Sequence, residues 1–277
     1  MNVSKFCKIL NLSRSNLYRT NSRMQERDEE KFKLLKKYFE SSRRKDGIRQ
    51  LKMRIERAEG IVMSRKTIAR LKKKYGLITE IRKQSRYRFV NKTAHEHAVA
   101  KNILDRNFNN VNADEVYLTD ITELKYKNGK AYFAAVKDLG TKEIVGSAIS
   151  KRVDLELSNT AMKEALIDLP EIAKKSLIVH SDQGVNYTHY SFRNMLSKEK
   201  ITQSMSRKGN CLDNAPMESF FGLIKDHLEL KSCQTIEDVK KEVTRVVDYY
   251  NKERPQLGLK KMTPMEYRRH FFSSAFY

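Results

Sequence analysis

A pair of carboxylates, Asp182 and Glu218, constrains this chain more than any other feature. They are separated by 35 residues, and the stretches that contain them read VHSDQGVNYTHYSF and SMSRKGNCLDNAPMESFFGLIKDHLEL. Asp182 follows a short apolar run, residues 177–179, which is typical of a buried strand. Glu218 lies on a predicted helix, because apolar residues recur there at helical spacing. These apolar residues are Met217, Phe220, Ile224 and Leu228.

A third carboxylate, Asp120, lies upstream in the segment VYLTDITEL, whose alternation predicts a strand. Hard divalent cations prefer oxygen ligands, and three carboxylates from separate elements suit a pair of ions about 3.5–4 Å apart. We therefore predict that Asp120, Asp182 and Glu218 are catalytic residues that bind Mg²⁺ or Mn²⁺, with two ions in the site. The alternative is that the three are ordinary surface carboxylates.

Three blocks of sequence carry a family resemblance: TDIT, HSDQGVNYT and SMSRKGNCLDNAPMESFF. In this order, and with 35 residues between the second and third carboxylates, they resemble bacterial insertion-sequence transposases of the OrfB type, whose core is similar to that of retroviral integrases. Tyr117 departs from the pattern, since the family often has Trp there. The resemblance implies an α/β fold: a ribonuclease H-like catalytic core with a mixed sheet, preceded by a small all-α helix-turn-helix region.

The positive charge is concentrated in the first third of the chain. Residues 1–94 contain 28 Lys and Arg against 9 Asp and Glu, whereas residues 95–277 contain 28 against 25. A basic block fits polyanion binding, with a generic basic surface or a ribosome-binding protein as alternatives. Two amphipathic segments around Gly60 predict a helix-turn-helix motif, which favours DNA. Its second helix presents four basic residues as a recognition helix would: Arg65, Lys66, Arg70 and Lys73.

Five segments are predicted along the chain. They are a short helical segment (1–22), a helix-turn-helix DNA-binding domain (23–79), a basic linker and helix (80–111), the integrase-like core (112–250) and a C-terminal tail (251–277). Separate helices are predicted over residues 28–40 and 96–108. No apolar run long enough to cross a membrane and no signal peptide is found, so a bacterial cytoplasmic location near the nucleoid is expected.

Four residues of the core are predicted to contact DNA. Asn186 and Lys225 stand at offsets from Asp182 and Glu218 that match retroviral integrases, so their role is implied by the resemblance. Arg207 and Lys208 lie in a basic, Gly-containing stretch that is typical of a loop closing on DNA.

The function that the resemblance implies is DNA transposition. Strand cleavage at the element ends would free a 3′-OH, which attacks another phosphodiester by transesterification. The expected partners are the terminal repeats, the target DNA, further copies of the chain and the product of an upstream reading frame. Two alternatives remain open from sequence: a catalytically silent DNA-binding regulator derived from such an element, and a plain nuclease.

Overall fold

The computed structural model describes residues 13–80, 99–109, 111–207 and 211–274, together with Ser4, Cys7 and Ile9. The chain divides into two compact units, Met1–Ile81 and Arg82–Tyr277. The first unit is helical and the second holds a β-sheet with helices on both faces. Across the described ranges, no helix combines the length and apolar character that a membrane span requires.

Over residues 13–80, the first unit forms the helices α1 (Arg14–Ser41), α2 (Ile48–Glu59) and α3 (Arg65–Lys74). Gly60 ends α2 with a φ of 66°, a left-handed conformation that glycine adopts without steric cost. Ser64 caps α3 by accepting a hydrogen bond from the backbone N–H of Thr67. The predicted helical hairpin around Gly60 is therefore present.

The start of the chain differs from the prediction. The helix predicted over residues 28–40 is only the second half of α1, which begins at Arg14. The predicted boundary between residues 22 and 23 thus falls inside a continuous helix. No glycine or proline interrupts residues 14–41, so nothing in the sequence ends the helix between them. Most of the predicted 1–22 segment before Ser13 lies outside the described residues.

The second unit is built on one five-stranded sheet with the strand order β3-β2-β1-β4-β5. The strands are β1 (Val116–Tyr126), β2 (Gly129–Asp138), β3 (Ile144–Ser150), β4 (Ile178–Ser181) and β5 (Thr202–Met205). β1, β2 and β3 pair antiparallel, whereas β4 pairs parallel with both β1 and β5. The predicted α/β fold with a mixed sheet is confirmed.

Helices cover both faces of this sheet. They are α4 (Leu155–Leu166), α5 (Glu171–Ser176), α6 (Val185–Thr188), α7 (Tyr190–Lys198), α8 (Ala215–His227), α9 (Ile236–Asp248) and α10 (Pro264–Ser274). One apolar core joins α4 and α7 to the face that carries Tyr117. The other core joins α8 and α9 to the face that carries Leu118. Tyr117 and Leu118 are adjacent on β1, so their side chains point to opposite faces.

The helix predicted over residues 96–108 is absent from its described part, residues 99–109. Ser204 on β5 accepts hydrogen bonds from the backbone N–H groups of Ile103 and Leu104, at 2.9 and 3.3 Å. Asp105 and Arg106 then turn the chain with positive φ angles of 41° and 63°. These tertiary contacts use the N–H groups that a helix would need, and they override local propensity. Residues 81–98, with most of the predicted basic linker, lie outside the described residues.

Candidate active site

The sheet brings Asp120 and Asp182 side by side. β1 and β4 are parallel neighbours in which Leu118 pairs with His180. Extending this register by two residues aligns Asp120 with Asp182, just beyond the end of β4. Neighbouring strands lie about 4.8 Å apart, and residues two apart on a strand share a face. Both carboxylates therefore project from adjacent backbone positions on the face of the sheet that carries Leu118.

Glu218 reaches the same face from α8. The buried side of this helix packs in one core cluster with Leu118 and includes Met217, Phe220 and Phe221. Glu218 lies in the first turn of α8 and is half-buried. Its charge acts on Asp120, and so do the charges of Asp182 and Lys225. The three predicted catalytic carboxylates therefore lie within one electrostatic neighbourhood.

Burial raises the pKa of both aspartates in this neighbourhood. The pKa of Asp120 is raised to about 7, chiefly by burial and then by the charge of Asp182, with Glu218 adding to it. The backbone N–H of Ile121 and the charge of Lys225 act in the opposite direction. Burial also raises the pKa of Asp182, against a 2.9 Å hydrogen bond from the N–H of Gly184. Part of the Asp182 residue nevertheless reaches solvent, so its pKa rises because neighbouring atoms displace water around the carboxyl group and not because the whole residue is enclosed.

The donor set suits a hard cation. Within the described ranges, no three His, Cys, Asp or Glu side chains converge into a preformed metal site. The two aspartates nevertheless lie at paired positions of neighbouring strands. The pKa of each is raised, so a cation bound nearby would favour the ionised form of both carboxyl groups. Oxygen ligands of this kind fit Mg²⁺ or Mn²⁺.

His180 connects the strand before Asp182 to the neighbouring strand, a role that was not predicted from the sequence. The residue is fully buried two positions before Asp182, with Nδ1 2.9 Å from Ser204 Oγ and Nε2 3.1 Å from Ser206 Oγ. Ser204 Oγ already accepts hydrogen bonds from two backbone N–H groups, so we assign its hydroxyl as the donor to His180 Nδ1. The ring proton of His180 is then on Nε2, which donates to Ser206 Oγ. Burial lowers the pKa of His180, so the neutral ring links β4 to β5. The only signal in the sequence was its place in the HSDQG block.

Asp213, also missed, fixes the base of the predicted DNA-closing loop. This buried carboxylate accepts hydrogen bonds from Asn102 Nδ2 (3.1 Å), Arg106 Nε (2.6 Å) and the backbone N–H of Arg207 (3.0 Å). Burial alone would raise the pKa of Asp213, but these donors outweigh it and hold the pKa at about 2. Arg207 Nε also contacts Asp213, and the Arg207 guanidinium pairs with Asp105.

The remaining predicted DNA contacts fall in different settings. Arg207 forms ion pairs with Asp213 and Asp105 at the base of the loop. Lys208 lies outside the described residues. Asn186 is buried in α6, with 8% of its surface exposed. Lys225 is half-buried near Asp120. Their contacts with DNA stay predictions.

In the first unit, the four predicted DNA-contacting residues of α3 are all exposed. Arg70 differs from the other three because it forms two hydrogen bonds with Asp28, at 2.6 and 2.7 Å. This pairing lowers the pKa of Asp28 to about 2. The predicted DNA-contacting residues of α3 that do not take part in this ion pair are therefore Arg65, Lys66 and Lys73.

Three family models match the chain. Residues 110–211 and 199–264 each match an integrase core domain, and residues 26–85 match an HTH-like domain. A transposase-like protein of Haemophilus influenzae is 37% identical over 211 residues, which cover 76% of this chain and 95% of that protein. The putative transposase InsK for insertion sequence IS150 of Escherichia coli K12 is 34% identical over 237 residues, covering 85% of this chain and 82% of that protein.

A 31 kDa protein of insertion element IS600 from Shigella sonnei is 31% identical over 277 residues and covers 97% of this chain and 99% of that protein. Among solved structures, the catalytic core domain of HTLV-2 integrase in complex with magnesium is 14% identical, covering 57% of this chain and 98% of that one with a TM-score of 0.45. A simian T-cell lymphotropic virus intasome is 11% identical, covering 74% of this chain and 67% of that one with a TM-score of 0.48.

Proposed function

We propose that this chain, which belongs to the family of insertion-sequence transposases, cuts and joins DNA strands with Asp120, Asp182 and Glu218. The observation that carries the proposal is the alignment of Asp120 with Asp182 across β1 and β4, with the charge of Glu218 acting on Asp120. Surface carboxylates scattered over a fold have no reason to meet in this way. The arrangement supports polynucleotidyl transfer over an incidental role for the three residues.

Asp120, Asp182 and Glu218 are proposed to hold Mg²⁺ or Mn²⁺, with two ions in the working site. Bound divalent cations would supply Lewis-acid stabilisation of the charge that develops on the phosphoryl oxygens. The protein supplies the anchoring: β1 and β4 fix the spacing of the two aspartates, and α8 brings Glu218 to the same face.

The proposed reaction has two phosphoryl-transfer steps. In the first, water attacks a phosphodiester at the element end, so that one P–O bond forms while the bond to the departing 3′-oxygen breaks. In the second, the freed 3′-OH attacks a phosphodiester of another DNA strand, and again one P–O bond replaces another. Because bonds are exchanged one for one, no nucleotide cofactor and no covalent protein intermediate is required.

The proposed partners follow from the same function. Arg65, Lys66 and Lys73 on α3 are exposed cations suited to phosphate and base contacts on the terminal repeats. Target DNA, further copies of the chain and the product of an upstream reading frame complete the proposed set. We place this assembly on DNA in the bacterial cytoplasm.

Two alternative functions are less well supported. A catalytically silent regulator would not need three carboxylates to be held in one neighbourhood. A plain nuclease would share the core but would not join strands. An assay that follows joined products separately from cut products distinguishes the nuclease from the transposase.

The test is a set of single charge removals, Asp120→Asn, Asp182→Asn and Glu218→Gln. Each should abolish cleavage and joining that depend on Mg²⁺ or Mn²⁺, while DNA binding survives. Glu123→Gln is the matched control, because Glu123 lies on the same strand as Asp120 but pairs with Lys130 at 3.1 Å. A triad variant that turns over as fast as this control would remove that residue from the proposal.

A further inference from the structure

Three cations meet between β2, the start of α8 and the segment that follows α9. The most enclosed is Lys137 on β2, with 7% of its surface exposed. It pairs with Leu118, so both side chains point to the α8 face. Its Nζ donates a hydrogen bond of 3.3 Å to the carbonyl oxygen of Pro216, and it lies 5.7 Å from the centroid of the Phe220 ring.

Lys142 and Arg254 are the other two cations. Both are partly exposed, and the charges of both act on Lys137. Lys142 Nζ lies 2.8 Å from the position that a Cβ atom on Gly258 would occupy, so it reaches the 254–258 segment. The charge of Arg254 also acts on Tyr250, whose ring packs edge-on against Phe220 with centroids 5.1 Å apart. The charges of Lys142 and Arg254 therefore act on Lys137, which lies against Phe220.

These charges have no acidic counterpart. Among the described residues, Lys137, Lys142 and Arg254 form no ion pair, and Arg254 Nε is buried without a hydrogen-bond partner. Burial, and then the charges of Lys142 and Arg254, lower the pKa of Lys137 to about 7. Acidic residues are not scarce in this part of the chain, since residues 95–277 carry 25 of them against 28 bases. A buried cation left unpaired costs stability, and an anion bound from outside the chain would offset that cost.

We propose that Lys137, Lys142 and Arg254 form a binding site for a phosphate group of the DNA backbone. Lys142 and Arg254 would contact the phosphate oxygens from the surface, and the planar guanidinium suits two parallel hydrogen bonds to them. The buried Lys137 would add positive charge on the protein side of the bound phosphate. The inference rests on the proposed function only in taking DNA as the source of the phosphate.

The proposed phosphate site lies next to α8, the helix that carries Glu218. Lys137 holds the carbonyl of Pro216, which lies in the first turn of α8 two residues before Glu218. A phosphate bound by these cations therefore sits beside the helix that carries the proposed catalytic glutamate. It would anchor a DNA strand independently of the carboxylates themselves.

The experiment measures binding of the full chain to a labelled DNA duplex in EDTA, over a range of salt concentrations. Arg254→Gln and Lys142→Gln should each lower affinity about tenfold at low salt. Each should also flatten the slope of log K against log salt by up to about 0.9, the contribution of one phosphate. Lys252→Gln is the matched control, because it removes the same charge two residues from Arg254 at a side chain that pairs with Asp248 at 2.6 Å. Its slope should equal that of the unmodified chain.

Equal slopes for Arg254→Gln and Lys252→Gln would overturn the site. If Arg254→Gln does not fold, the comparison of Lys142→Gln with Lys252→Gln decides alone, because Lys142 is partly exposed and its replacement leaves no buried charge behind. Lys137→Met gives a second readout: it should raise the melting temperature while weakening DNA binding. A loss of thermal stability with unchanged binding would make Lys137 a structural residue and contradict the proposal. Because no divalent ion is present, these outcomes do not depend on whether the triad is catalytic.

Discussion

Lys225 and Asp120 show how single residues balance the charge of the site. Lys225 favours the ionised form of Asp120, whereas Asp182 and Glu218 oppose it. Lys225 lies seven residues after Glu218, so the two project from one side of α8. Among the described residues whose charges act on Asp120, Lys225 is the basic one. A phosphate entering the site would meet it next to the carboxylates.

We predict that Lys225→Ala lowers strand joining by about 100-fold, because one preorganised charge is lost where negative charge develops. Lys225→Arg should recover part of the activity, since phosphate accepts either cation with different geometry. Joining is measured on element-end DNA, with bulk DNA affinity as the check on folding. Lys231→Ala is the control; α8 ends at His227, so Lys231 lies beyond the helix. Equal losses in the two alanine variants would leave Lys225 without a special role.

Asp28 gives a pH prediction in the first unit. Its pKa is lowered to about 2, first by the hydrogen bond from Arg70, whereas an unpaired Asp titrates near 3.8. A group with a depressed folded-state pKa contributes stability above its unfolded pKa and loses it as the pH falls. The stability difference between the unmodified chain and Asp28→Asn should therefore shrink as the pH falls from about 4 to 2. Chemical denaturation followed by far-UV circular dichroism measures it.

Glu29→Gln is the matched control for this prediction. Glu29 is the next residue on α1, it is exposed, and α3 does not pair with it in the described structure. Its stability difference from the unmodified chain should stay small across the same pH range. A pH dependence equal to that of Asp28→Asn would show that general charge on α1, and not the pair with Arg70, controls acid stability.

At this scale the sequence can indicate candidate residues through local patterns, but it cannot indicate partners that are distant in the chain. The three carboxylates stand in recognisable blocks, and their catalytic role stays a prediction. His180 and Asp213 lie inside the same blocks, but their partners are Ser204 and Arg106, which only the folded sheet brings to them. The pairing of Arg70 with Asp28 spans 42 residues and was likewise not predictable, whereas the DNA contact of Arg70 stays a prediction.

At the scale of elements, α10 is attached to the sheet through one arginine. Arg268 donates hydrogen bonds to Asp114 (2.6 Å), Glu143 (2.6 Å) and Asp138 (3.3 Å). Burial raises the pKa of Asp138 to about 6, even though Thr141 and Arg268 act to lower it. The three carboxylates would repel one another without the guanidinium. The predicted tail therefore docks on the core through the ion pairs of Arg268.

We predict that Arg268→Ala destabilises the second unit by about 3–5 kcal/mol, because it leaves buried carboxylates without their counter-charge. Equilibrium denaturation of the full chain, followed by a signal from the second unit, measures the change. Arg269→Ala is the control, since Arg269 is adjacent and exposed. Similar unfolding midpoints for the two variants would show that the network around Arg268 contributes little.

The strands of the core were predictable because their signals are local. The alternation around Asp120 and the apolar run at residues 177–179 mark β1 and β4, which pair in parallel. The match to an integrase core domain confirms the ribonuclease H-like class. The predicted helix over residues 96–108 was wrong because its backbone N–H groups bond to Ser204, which lies about a hundred residues further on. Helical periodicity carries no information about such a partner.

At the scale of the whole molecule, most of the excess positive charge and the proposed catalytic carboxylates lie in different parts of the chain. Residues 1–94 carry an excess of 19 positive charges, from 28 bases and 9 acids, and the remainder carries an excess of 3, from 28 and 25. The division between the two compact units, at Ile81 and Arg82, falls within this basic block. We therefore expect most of the electrostatic affinity for DNA to reside in the first part.

The last prediction tests this division with two fragments, residues 1–94 and 95–277. The second must begin before residue 99, because Asn102 and Arg106 hold Asp213 at the loop base. The first fragment should bind duplex DNA with log K falling steeply with log salt, by about 0.9 for each phosphate neutralised. The second should bind weakly and with a shallow slope, since its few phosphate contacts release few counterions. Fluorescence anisotropy measures both, and equal slopes would show that the charge asymmetry does not determine where DNA is bound.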